Sequence, residues 1–109
     1  MARTAKILAE SNPSASSLTD AYTVPASTTA MITSIDVCNF SSSAVANITV
    51  KIAVAGLADT NKQYTYFFTL DKQDTLERTC GIPLQTTDVV RVMADTANVS
   101  FQIYGIEYS

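Results

Sequence analysis

Ala46-Asn-Ile-Thr-Val-Lys-Ile-Ala-Val54 decides the fold class of this chain. Ile48, Val50, Ile52 and Val54 occupy alternate positions, and small or polar residues occupy most of those between. That is the period of two expected of a strand with one face against a core. The stretch Lys62-Gln-Tyr-Thr-Tyr-Phe-Phe-Thr-Leu70 repeats the logic, with Tyr64, Tyr66, Phe68 and Leu70 predicted on the core face. Gln63, Thr65 and Thr69 share the other face with Phe67, a large apolar residue among polar ones.

Working outward, Asp88–Ala94 predicts a strand with Val90 and Val92 inside, and Asn98–Ile106 one with Val99, Phe101 and Ile103 inside. The polar turn Asp95–Asn98 between them reads as the bend of a hairpin. Upstream, Leu18–Val24 is a short strand stopped by Pro25, and Thr29–Asn39 a long one with Ile35 and Val37 as core residues. Asp74–Cys80 is a short strand closed by Gly81 and Pro83, and Ala5–Ala9 reads as a strand or an arm. Turn residues around Asn12-Pro13, Ser41–Ser43, Gly56–Asn61 and Asp71–Asp74 separate these runs. The reading is all-β: a β-sandwich, jelly-roll-like, of about eight antiparallel strands. Residues 1–12 form an N-terminal arm or edge strand, and residues 13–109 a single sandwich domain.

Composition narrows the function. The chain of 109 residues is 47% hydrophobic but only 16% charged, and its formal net charge is −3. Ser and Thr replace much of the missing charge, which suits pleated strands and also repeated protein contacts, where few charges need desolvating. The basic residues Arg3, Lys6, Lys51, Lys62, Lys72, Arg78 and Arg91 are scattered, so no footprint for nucleic acid is expected. No apolar run reaches membrane-span length and the N-terminus lacks a signal-peptide core, so a soluble chain made in a cytoplasm is expected. The sequons at Asn39, Asn47 and Asn98 are read as unglycosylated on that basis.

No catalytic, cofactor or metal residues are assigned. The chain has no His and only three Gly, which removes the commonest general base and the phosphate-cradling loops. Cys38 and Cys80 make no CxxC pair; a disulfide requires their strands to be neighbours, and reduced, half-buried thiols are the favoured state. Asp71, Asp74 and Glu77 admit a calcium or acid–base reading, and Asp88 and Asp95 flank one strand. Both sets are favoured as turn residues bonding to backbone. Two elements remain as candidate contacts with another subunit or protein partner. One is the N-terminal segment with Arg3, Ala5, Lys6 and Ile7, which can pair along a sheet edge of its own subunit or a neighbour's. The other is Phe67, since large apolar residues on polar faces often mark interfaces.

Leu18-Thr-Asp-Ala-Tyr-Thr-Val-Pro25, Ile32-Thr-Ser-Ile-Asp-Val-Cys-Asn39, Asp74-Thr-Leu, Thr87-Asp-Val-Val-Arg-Val-Met-Ala94 and Val99–Glu107 resemble the small virion proteins of tailed phages. The likeness spans Thr4 to Glu107, with Gln73-Asp74-Thr75 where the pattern has Asn-Asp-Thr. The resemblance implies a sandwich or jelly-roll subunit of the virion, foremost a capsid decoration (cement) protein. Such a protein would act as a homo-oligomer, expected to be a trimer, on the major capsid protein or another virion protein. A tail, fibre or baseplate part, with a carbohydrate-binding role through exposed aromatics, is the alternative. Neither reading involves an enzyme, a cofactor, nucleic acid or a membrane.

Overall fold

The computed structural model describes residues 2–109. Eight strands follow in order: β1 (Arg3–Ser11), β2 (Thr19–Thr23), β3 (Thr29–Asn39), β4 (Ala46–Ala53), β5 (Tyr64–Leu70), β6 (Asp74–Leu84), β7 (Val89–Ala94) and β8 (Val99–Tyr108). They build two four-stranded antiparallel sheets, β1-β8-β3-β6 and β2-β7-β4-β5. Four of the pairings nest: β1 with β8, β2 with β7, β3 with β6 and β4 with β5. The chain is therefore one long hairpin rolled into two layers, which is the jelly-roll topology. Every connection except β4–β5 passes from one sheet to the other. Among the described residues no helix is long and apolar enough to cross a membrane.

The alternating residues meet between the layers. Ile35, Val37, Ile48, Val50, Val90, Val92, Val99, Phe101 and Ile103 are all buried in one cluster, joined by Val24, Ile32 and Leu84. Full burial of a side chain of this size stabilises by about 1.5–3 kcal/mol. Ile52, Tyr66 and Phe68 pack against the cluster from its margin and are half-buried.

Several expectations are corrected. Tyr64 lies outside the core: β5 carries one extra residue at Thr65 relative to β4, because Val50 pairs with Tyr66 but Lys51 with Tyr64. A bulge of this kind moves the next side chain to the other face. Val54 is exposed because β4 ends at Ala53, and Ala55 turns the chain with φ 54°. β7 and β8 are not a hairpin; they lie in different sheets, and the Asp95–Asn98 turn carries the chain across the sandwich. β6 does not stop at Gly81 and Pro83 but runs through both. It is an edge strand, where a proline is tolerated when its nitrogen faces the open side.

One row of bulges crosses the first sheet. β1 gains a residue at Leu8 against β8, β3 gains one at Thr33 against β8, and β6 sets Cys80 and Gly81 against Thr33. Gly105 lies in this row of bulges, and a Cβ there would come within 2.2 Å of the Met31 carbonyl oxygen and 2.7 Å of Leu8 Cδ1. Only glycine permits so close an approach of two strands.

Candidate interaction surface

β5 is an edge strand of the second sheet, and on its outward face stand Phe67, 70% exposed, and Tyr64, 46% exposed. Their rings meet edge to face, with centroids 5.5 Å apart and planes at 77°. Beneath Tyr64 lies Lys51, only 5% exposed although it too points outward from the sheet. Its Nζ sits 4.1 Å from the Tyr64 ring centroid and pairs with Asp59 Oδ1 at 2.5 Å. A cation over an aromatic face and beside a carboxylate keeps its charge satisfied while buried.

The cover over Lys51 is the β4–β5 connection. Two short 3-10 turns, Val54–Gly56 and Asn61–Gln63, fold this segment back over the outer face. Arg91 fastens it, with Nη1 donating to the Leu57 carbonyl and Nη2 to that of Gly56, while its Nε pairs with Asp20. Gln63 Nε2 donates to the Ala58 carbonyl from the other side. Val54 and Leu57 also remain exposed on this segment.

The N-terminal segment lies elsewhere. β1 pairs with β8 along its whole length, within the same subunit, at the edge of the first sheet. Arg3, Ala5 and Ile7 point outward, opposite Tyr108, Ile106 and Tyr104; Ile7 is 51% exposed. Lys6 turns toward the β2 side and bonds Glu107 Oε1 at 3.1 Å, while the Tyr22 hydroxyl donates to Glu107 Oε2 at 2.5 Å. These bonds hold the Glu107 carboxyl below its ordinary value, the Tyr22 bond first and Lys6 second. Burial, reinforced by the same carboxylate, pushes the Tyr22 hydroxyl up. The structure thus sets Arg3, Ala5, Lys6 and Ile7 on one flank and Phe67 on the other, and does not bring them together.

The carboxylates flagged in the sequence bond to backbone. Asp71 and Asp74 accept from the amides of Lys72 and Thr75. Asp88 is buried and accepts from the amides of Ala55 and Gln85, and Asp95 accepts from the backbone and side-chain amides of Asn47. Glu77 falls in a row with Glu10, Gln102 and Asp36 across the outer face of the first sheet. The described residues hold no pocket and no group of three side chains fit for a metal. Cys38 and Cys80 are free thiols: their strands are neighbours, but Cys38 is level with Thr75, and Cys80 reaches the Ile32 carbonyl.

The sequence reading missed the Lys51–Asp59–Arg91 clasp. Its signal was a lysine in a strongly apolar strand with Asp59 eight residues on, which periodicity does not register. It also missed Asn39, which is fully buried and donates to the carbonyls of Ala44 and Leu70 while accepting from the Ser41 amide.

No protein-family model and no curated protein matches the chain.

Proposed function

We propose that the chain is a structural part of a tailed-phage virion, assembled in the host cytoplasm. In this reading it is a capsid decoration protein that binds the major capsid protein lattice as a homo-oligomer and stabilises the head. The observation that carries it is the exposed aromatic pair Tyr64 and Phe67, with Leu57 and Val54 exposed on the preceding segment, on a charge-poor jelly roll. Large apolar side chains left exposed in this way suit protein contacts. Many copies, each burying a modest interface, convert weak contacts into durable binding.

The residues of the phage-like pattern are keystones of the fold, so they bear on the architecture that the resemblance implies. Asn39 closes the β3–β4 loop, Asp88 anchors the turn before β7, and Val90 and Val92 fill the core. Jelly rolls serve in capsids and in lectins alike, so fold by itself ranks neither use.

The test is mass spectrometry of purified virions, followed by heat-induced DNA release with and without the protein. Presence in the head and earlier release without it are expected; absence from virions overturns the proposal. A tail, fibre or baseplate part that binds carbohydrate is the second reading, favoured by the exposed Tyr64 and Phe67. Their perpendicular rings offer no single flat platform. A glycan array comparing wild type with Phe67→Ala decides it, with binding lost in the variant as the supporting result.

A further inference from the structure

The four free sheet edges are not equally guarded. An edge strand presents unpaired N–H and C=O groups and attracts another strand unless charge, proline, a bulge or shortness blunts it. β1 carries Arg3, Lys6 and the bulge at Leu8. β2 has five residues, an internal bulge and Asp20, and runs on toward Pro25. β6 carries Glu77, Arg78, the Cys80–Gly81 bulge and Pro83. β5 is Tyr-Thr-Tyr-Phe-Phe-Thr-Leu, without charge or proline, and its bulge at Thr65 leaves Tyr66–Leu70 in regular register with β4.

β5 also reads nearly alike in both directions: Thr65-Tyr66-Phe67-Phe68-Thr69. Two copies laid antiparallel about Phe67 set Phe67 against Phe67 on the outer face and Tyr66 against Phe68 on the inner face. Thr65 and Thr69 fall at the flanks. Aromatic and Thr–Thr pairs are among the cross-strand pairs that stabilise sheets, and no like charges are opposed within the strand. Each Lys62, just before β5, is carried alongside the second copy's turn Asp71-Lys-Gln-Asp74, whose two Asp and one Lys sum to −1. A two-fold contact requires this self-complementarity.

We propose that β5 is the self-association edge of this protein. Two copies pair β5 with β5 across a two-fold axis at Phe67 and continue the second sheet as one eight-stranded sheet. The proposal deepens the self-association in the virion reading but rests on β5 alone. Its symmetry is two-fold, so the trimer implied by the phage resemblance would need a different, head-to-tail surface.

Sedimentation equilibrium of the full chain tests it, with a dimer expected at twice 11.7 kDa. Oxidised Phe67→Cys is expected to form a disulfide-linked dimer, because the residue faces its own copy across the axis. Wild type, with Cys38 and Cys80, and Ile7→Cys, exposed on the opposite flank, are expected to remain uncrosslinked. Phe67→Lys places two like charges together and is expected to weaken the dimer about tenfold or more, with circular dichroism and melting unchanged. A monomer or trimer at about 100 µM overturns the proposal, as does cross-linking of Ile7→Cys equal to that of Phe67→Cys. A chain that fails these tests yet is found in virions leaves the virion reading standing; a β5 dimer absent from virions does the reverse.

Discussion

β5 and β6 lie on the same flank of the sandwich, one at the edge of each sheet, and they treat solvent in opposite ways. β6 has eleven residues, and charge, a bulge and a proline interrupt it along its length. β5 has seven residues, five of them aromatic or aliphatic, and its only irregularity is near its start. The same chain therefore uses charge, proline, bulges and shortness to close its other edges and leaves β5 without charge or proline. The contrast teaches that exposure of Phe67 is local, since the strand beside it shows how this sequence blunts an edge.

The largest way to disturb the contrast is Gly105→Ala. Gly105 lies in the row of bulges that reaches β6 at Cys80–Gly81, and the added Cβ would strike the Met31 carbonyl oxygen at 2.2 Å. Denaturant unfolding should show a loss of about 3 kcal/mol or more. Next comes removing the guards from β6 with Glu77→Thr, Arg78→Thr and Pro83→Val together. If charge and proline hold that edge closed, light scattering should detect association at about tenfold lower concentration than for wild type. Unchanged behaviour would mean that the bulge at Cys80–Gly81 suffices.

A smaller effect concerns the opposite flank, where Glu107 holds Lys6 and Tyr22. Its carboxyl is lowered from the ordinary 4.5 in the folded state, so the unfolded chain takes up the proton more readily. The stabilisation is complete above that value and is lost as pH falls through the depressed one. Glu107→Gln should cost about 1 kcal/mol at neutral pH and flatten the acid limb of a pH–stability profile, with β5 association unaffected. The smallest effect is expected from Asp71→Asn with Asp74→Asn, which should stay within about 0.5 kcal/mol at an exposed turn. It should nevertheless weaken β5 pairing if Lys62 faces that turn, as a dimer dissociation constant would report.

Much of this was readable from residues alone, and the failures have physical causes. Val50, Val92 and Phe101 announced their burial because regular strands alternate faces, whatever their partners. The same rule says nothing about which strand lies alongside, so β7 and β8 looked like a hairpin although they belong to different sheets. Tyr64 was assigned inward because one bulged residue, Thr65, reverses the alternation and leaves no mark in composition. Gly81 and Pro83 looked like stops because the edge position of β6, where both are tolerated, depends on the whole topology. Of the surface, Phe67 stood out as an apolar residue out of phase. The Lys51–Asp59 pair and the Arg91 clasp depend on how residues 54–63 fold back, which period-two reasoning does not reach.

The nesting of the strand pairs has a consequence for the order in which the chain comes together. β4 and β5 are joined through residues 54–63, β3 and β6 enclose them, then β2 and β7, and last β1 and β8. Closing a loop costs more entropy the longer it is, so pairing from the inside outward lets each step close only a short added length. A sheet built this way is expected to fold slowly, with a nucleus at the β4–β5 hairpin. Ile48→Val should then slow refolding, and Val99→Ala should chiefly speed unfolding. On that route β5 is among the first strands formed, so the unguarded edge is presented to neighbouring copies before the rest of the sandwich has assembled behind it.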